Sequence, residues 1–168
     1  MNETSFTVSN IKTKALPAIL WGGSIAGAFD LAFAVIFYGT RGVKPIRVAQ
    51  SIASGLLGPG AYQGGFRTAA LGVLLHFVIA LGAASVFFLA SRKLTFLLKK
   101  PILWGPIFGA AIYLFMHLVV LPLAANPKLR TTSFSLPSAC DFLCHIILIG
   151  PSIAFAVRHF SQNRNISQ

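Results

Sequence analysis

Five side chains that can ionise lie inside stretches of sequence that are otherwise apolar. They are two aspartates and three histidines, namely Asp30, His76, His117, Asp141 and His145. An ionisable group in hydrocarbon costs several kcal/mol unless it faces a partner or water, so such residues are functional candidates. Because Asp141 and His145 are one helical turn apart, they share a helix face, and Asp141 is predicted to orient His145.

This set of residues suits three kinds of chemistry. A chain of aspartate and histidine side chains can pass protons or bind ions within a membrane. A divalent metal would find oxygen and nitrogen ligands in Asp30, His76, His117 and His145. Two facing histidines can instead hold a haem iron. The simpler alternative is that each histidine only hydrogen-bonds a nearby backbone or hydroxyl group.

Four apolar runs carry these residues, and each is long enough to cross a bilayer. The runs are residues 16–38, 68–90, 102–125 and 138–157. A helix of about 20 apolar residues covers the roughly 30 Å hydrocarbon core of a membrane. The composition agrees, since 55% of the residues are hydrophobic and only 10% are charged. We therefore predict one integral membrane domain, residues 1–168, with a four-transmembrane helix bundle as its fold.

The depth of the ionisable groups is the main reason to expect that they meet. Asp30, His76, His117 and His145 each lie eight residues from a predicted span end on the same side of the membrane. Eight residues of helix correspond to about 12 Å. The four groups are therefore expected near one plane, although equal depth does not fix the rotation of each helix.

The connector between the first two spans contains a short amphipathic segment, PIRVAQSIASGLL, at 45–57. Its apolar residues recur at helical spacing, and Pro45 suits a first helical position. The segment is too short to span a membrane, so we predict an interfacial helix between helices 1 and 2.

The spans also contain signals for close helix packing. Gly23 with Gly27, and Gly105 with Gly109, are small-xxx-small pairs that allow helices to approach closely. Leu-Trp-Gly occurs at 20–22 and again at 103–105. This recurrence predicts two copies of a two-helix unit, with chance matching among apolar residues as the alternative.

The net charge of +11 is distributed as a topology signal. Basic residues flank the apolar runs and do not form one patch with interleaved aromatics, so nucleic-acid binding is not expected. Eight Lys and Arg lie on the side of the termini and six on the other side. This bias predicts that both termini are cytoplasmic. The polar N-terminus has no evident cleavable signal peptide, so the first span is expected to direct insertion.

Other motifs exclude some functions. Cys140 and Cys144 lie four residues apart, which fits small buried residues better than a zinc or disulfide motif. No HExxH, Walker or GxSxG pattern is present. Conventional hydrolase or transferase chemistry is therefore not expected, and the protein is predicted not to be an enzyme.

From His76 onward the chain resembles the YagU-like bacterial inner-membrane proteins. One shared feature is a histidine that opens an apolar span, here His76, and another is Leu-Trp-Gly at 103–105. A third is Met-His before a span that ends at a proline, here Met116, His117 and Pro122. The last is an acidic residue four positions before a histidine, here Asp141 and His145. The family's biochemical activity is unknown, and it has been linked with acid tolerance. The resemblance implies a multi-pass protein of the bacterial inner membrane.

The leading functional prediction is proton or ion handling through the layer of aspartate and histidine residues. A metal- or haem-binding bundle is the second, and an accessory or structural membrane subunit is the third. The lipid bilayer is the expected partner, together with a further copy of the chain or a larger membrane complex. An exposed face of small residues on spans one and three would favour the accessory interpretation.

Overall fold

The computed structural model describes residues 3–130 and 135–162, and the side chains of 15–130 and 135–161. These residues are almost entirely helical, and no strand occurs among them. Four helical segments are long and apolar enough to cross a membrane, namely Ala15–Gly39, Gly65–Lys93, Pro101–Val120 and Leu136–Ser161. We refer to them as spans one to four. For the described residues, the prediction of an all-helical fold with four helices long and apolar enough to cross a membrane is confirmed.

The α-helices are, in chain order, α1 Glu3–Gly39, α2 Pro45–Leu57, α3 Gly65–Lys93, α4 Phe96–Lys99, α5 Pro101–Phe115, α6 Leu136–Cys144 and α7 Gly150–Gln162. Two 3₁₀ turns, Gly58–Gln63 and Pro127–Leu129, lie in the connectors. Two wide π-helical turns, Met116–Val120 and His145–Ile149, continue α5 and join α6 to α7.

The span ends follow local sequence signals. Span three stops at Val120, earlier than the predicted Ala125, since Pro122 has no N–H with which to continue the helix. Span four begins at Leu136. There the Ser135 hydroxyl accepts from the Ser138 N–H, and the Ser138 hydroxyl accepts from the Ser135 N–H. This capping box satisfies two backbone donors at the helix start. At the other end of the chain, α1 extends back to Glu3, into the segment predicted to be a polar tail.

Glycines bring the spans together in two pairs. Gly23 lies against Leu81 of α3, where an added Cβ would come 2.8 Å from the Leu81 Cα. Gly105 lies against Pro151 of α7, where the corresponding distance to the Pro151 Cα is 2.7 Å. Each predicted small-xxx-small pair therefore packs against another span of the same chain. In addition, α1 packs against α7, which places it between α3 and α7.

The helix assembly is densely filled towards one end. Ala84, Phe87, Ile153 and Val157 are fully or almost fully buried there. Phe87 also contacts Phe108 of α5, with ring centroids 4.9 Å apart. This packed half lies towards the chain termini, and we call it the termini side.

The opposite end, the connector side, is covered by the segments 40–64 and 121–130. Gln50 of α2 is 2% exposed and donates a hydrogen bond to the Gly65 carbonyl at 2.9 Å. Asn126 is 1% exposed and donates to the Ser54 hydroxyl at 3.0 Å. Both amides would be costly to bury unpaired. Their hydrogen bonds hold α2 against α3 and tie the two connectors together.

Replacing Gly72 by alanine should destabilise the protein, because the added methyl would overlap the Ala49 carbonyl oxygen of α2. Overpacking of this kind costs about 1–3 kcal/mol. The measurement is the unfolding midpoint in detergent. Gly82→Ala in the same helix is the control, since its methyl would meet nothing within 4 Å. Equal midpoints for the two variants would contradict the close contact between α2 and α3.

Candidate functional site

A cavity of about 510 Å³ lies between the four spans. It extends from the middle of the spans to the connector side, where Val43, Arg47, Tyr62 and Leu129 line it. All five residues predicted from the sequence line this one cavity, namely Asp30, His76, His117, Asp141 and His145. The structure therefore brings the predicted layer together around a common space.

Three of the five residues form a close group. One ligand atom each from Asp30, Asp141 and His145 lies within 4.8 Å of the other two. Nδ1 of His145 is 3.5 Å from Oδ1 of Asp141. His76 approaches from α3, with its Nδ1 3.9 Å from Oδ2 of Asp30. Two carboxylates and two imidazoles from spans one, two and four thus meet in the cavity, between Ile153 on one side and Arg47 on the other.

The Asp30 carboxylate accepts no hydrogen bond from the residues that the structure describes. Its one ion-pair contact among these residues is with the His76 ring at 3.9 Å, which is longer than a hydrogen bond. Its side chain is 27% exposed, and this exposure includes the cavity that it lines. A carboxylate without donors in a membrane-spanning helix keeps its acceptor capacity for a proton, water or ligand.

Each histidine of the site donates one ring N–H to a backbone carbonyl. His76 donates from Nε2 to the Gly27 carbonyl at 2.8 Å. His117 donates from Nδ1 to the Tyr113 backbone carbonyl at 3.1 Å, and His145 donates from Nδ1 to the Asp141 backbone carbonyl at 2.9 Å. Because a carbonyl can only accept, these bonds determine which nitrogen carries the proton in the neutral ring. The nitrogens left free to accept a proton or bind a ligand are Nδ1 of His76 and Nε2 of the other two.

His117 and His145 both lie in wide turns, and each turn precedes a proline at the same spacing. The turn Met116–Val120 is followed by Pro122, and the turn His145–Ile149 is followed by Pro151. A proline ring clashes with the carbonyl four residues earlier in an α-helix, and a wide turn relieves that clash. The prolines visible in the sequence thus account for local backbone changes that re-aim the two histidines.

His117 lies in the cavity lining but outside the close group. Its ring stacks on the Tyr113 ring, with centroids 3.9 Å apart. The Tyr113 and His145 rings pack edge to face, with centroids 5.7 Å apart. The predicted metal set included His117 and left out Asp141. The structure instead brings Asp141 into the group with Asp30 and His145, and leaves His117 linked to it through Tyr113.

Sequence reasoning missed a basic residue at the connector end of the cavity. Arg47 of α2 lines the cavity there. It donates to the Tyr62 carbonyl at 2.8 Å, and its guanidinium lies 5.7 Å from the centre of the Tyr62 ring. The sequence placed Arg47 on the polar face of an amphipathic segment, and a single helix pattern does not show that this face meets a cavity.

The chain matches no protein-family model, no curated protein and no solved structure. The structure itself defines the class: an all-helical, multi-pass membrane protein with an aspartate and histidine cluster beside an internal cavity.

A cysteine at position 34 should be reachable from the connector side and one at position 84 should not. Ala34 lines the cavity, whereas Ala84 is fully buried on the termini side. The test labels Ala34→Cys and Ala84→Cys with a small membrane-impermeant cationic thiol reagent, after the native cysteines Cys140 and Cys144 are replaced. Equal labelling at the two positions, or labelling of position 34 only from the termini side, would contradict one-sided access.

Proposed function

We infer that this protein handles protons or other cations, and that the aspartate and histidine residues of the cavity carry the activity. The observation that supports this function most directly is the Asp30 carboxylate, which faces the cavity without a hydrogen-bond donor among the described residues. Such a group in a membrane-spanning helix is costly unless a cation or proton neutralises it. His76, Asp141 and His145 lie close enough to share that proton or cation with Asp30.

The shape of the protein supports a site that binds and releases protons or cations from one side of the membrane. It gives less support to an open channel through the membrane. The cavity ends at Ile153, and the packed residues Phe87 and Val157 fill the assembly beyond it. In this proposal the four spans form a bundle, and α2 is an interfacial helix that covers the cavity on the connector side. With both termini cytoplasmic, the cavity would face the outer side of a bacterial inner membrane.

Asp30→Asn should abolish most of a pH-dependent proton or cation flux in liposomes, because the substitution keeps the shape of the side chain and removes its charge. We expect the flux to fall about tenfold or more, which corresponds to roughly 1.4 kcal/mol in the barrier. A pH-sensitive dye inside the vesicles measures proton movement. A matching fall should follow His117→Ala if this histidine belongs to the proton path.

His159→Ala is the matched control, because His159 is exposed at the end of α7 and does not line the cavity. Its flux should equal that of the unmodified protein. Equal flux in Asp30→Asn and His159→Ala would contradict the proposed role of the cavity.

Divalent-metal binding is the second candidate function, and the three-residue group at 4.8 Å favours it. Two carboxylates and one imidazole suit ions such as Mn²⁺ or Zn²⁺. They suit haem less well, because haem iron is usually held by histidine, cysteine, methionine or tyrosine. We therefore favour a metal ion over haem within this second candidate.

Metal binding predicts that gently solubilised protein takes up stoichiometric Mn²⁺ or Zn²⁺ without a Soret band. Asp141→Asn should weaken the binding about tenfold or more, in line with the effect of losing groups around a metal. Metal analysis after equilibrium dialysis gives the stoichiometry, and His159→Ala again serves as the control. Protein that stays metal-free under these conditions would exclude the metal function and leave proton handling.

The accessory interpretation has less support than these two. Under this interpretation, small residues of spans one and three would form an exposed face on which a partner could pack. The glycine pairs at positions 23 and 27 and at 105 and 109 instead contact other spans of the same chain. The resemblance to the YagU-like proteins agrees with a bacterial inner-membrane location, and their link with acid tolerance would suit a protein that handles protons.

A further inference from the structure

We propose that the cavity binds a hydrophobic organic cation, such as a tertiary amine or a quaternary ammonium or phosphonium compound. This inference rests on the proposed function, because it names the class of cation that the aspartate and histidine cluster would take. It follows from three properties of the cavity: its size, its walls and the position of its charges.

The cavity is larger than a proton or a metal ion requires. Ligand atoms of Asp30, Asp141 and His145 within 4.8 Å of one another would enclose an inorganic ion in one part of the cavity. The whole space measures about 510 Å³. This volume falls in the range of roughly 300–1,000 Å³ that is typical of sites for small organic molecules. Most of the cavity would therefore remain unused if its only occupant were an inorganic ion.

The walls of the cavity are mainly apolar and aromatic. Phe33 and Tyr38 of α1 line it, together with aliphatic residues such as Ile79 and Ile112 from the neighbouring spans. Aromatic faces attract cations, with about 0.5–2 kcal/mol per contact, and aliphatic walls favour the hydrocarbon part of a ligand. A ligand that fits these walls is bulky and largely apolar.

The charges of the aspartate and histidine cluster select a cation. Asp30 and Asp141 are the only acidic residues in the lining, and both lie in the close group. His76 and His145 face the same group from α3 and the fourth span, and His117 lines the cavity from span three. An organic anion placed there would meet two carboxylates, whereas an organic cation would offset the charge of the Asp30 carboxylate.

The single basic residue of the lining, Arg47, does not reverse this selection. It lies at the connector end, where the Tyr62 carbonyl and the Gln50 side chain accept its hydrogen bonds at 2.8 and 3.4 Å. A lipid acyl chain would also fit the apolar walls. It would leave both carboxylates of the close group facing hydrocarbon, which is the costly arrangement that a cation removes.

The test uses two probes of the same shape and opposite charge, tetraphenylphosphonium and tetraphenylborate. Equilibrium dialysis of the full chain in detergent measures saturable binding above partition into empty micelles. We expect tetraphenylphosphonium to bind saturably, tetraphenylborate not to do so, and Asp30→Asn to weaken the cation about tenfold. His159→Ala should bind the cation as the unmodified protein does. Size-exclusion profiles and circular dichroism show whether each variant is folded.

A second measurement does not depend on an aspartate variant. In the protein with Ala34→Cys and without native cysteines, tetraphenylphosphonium should slow labelling by the cationic thiol reagent, and tetraphenylborate should not. Saturable binding of both probes, or binding unchanged by Asp30→Asn in folded protein, would overturn the organic-cation proposal and point to lipid-like, charge-independent occupancy. Absence of saturable phosphonium binding would overturn it as well.

These outcomes are separable from failure of the proposed function. A protein that moves protons in an Asp30-dependent way without binding tetraphenylphosphonium overturns only the organic-cation proposal. A protein that binds the phosphonium through Asp30 but shows no proton or cation flux supports the organic-cation site and contradicts the handling function.

Discussion

The cost of keeping the Asp30 carboxylate in a membrane-spanning helix is the constraint on which the site depends. Each aspartate and histidine that lines the cavity comes from a membrane-spanning segment of hydrophobic sequence, and water or a partner must replace lipid around it. The structure meets this need by turning spans one, two and four so that Asp30, His76, Asp141 and His145 face one another. The aspartate and histidine residues thus line a cavity within the protein instead of facing lipid.

Two prolines connect backbone geometry with that chemistry. Pro122 and Pro151 each follow a wide turn that contains a histidine of the site. In a membrane, the backbone groups released by a proline must find other partners, because no lipid group can satisfy them. Here the turn widens, and the Nδ1–H of each histidine donates to a carbonyl four residues earlier. The wide turn before each proline therefore affects the aim of the histidine, and the bond to the carbonyl determines its protonated nitrogen.

The sequence predicted the four spans, the α2 segment and the depth of the ionisable residues, because hydrophobic length and helical rise set these directly. It could not predict rotation about each helix axis. The place of Asp141 beside Asp30 depends on the wide turn at 145–149 and on the contact of Gly105 with Pro151. Likewise, the early end of span three at Val120 puts His117 near a helix end, where it stacks on Tyr113.

The two halves of the protein differ in how tightly they are packed, and this difference bears on how a bound proton or cation would leave the cavity. On the termini side, close glycine contacts and buried side chains such as Phe87 pack the described helices tightly, so opening a path there would separate packed helices. On the connector side, α2 packs closely on α3, with the Ala49 carbonyl against Gly72, and it is also held by hydrogen bonds of Gln50 and Asn126. Each such bond contributes about 1 kcal/mol, which thermal motion breaks far more readily than a packed core. In the proposed function, a ligand would exchange from the connector side, where the cavity extends to Arg47 and Tyr62.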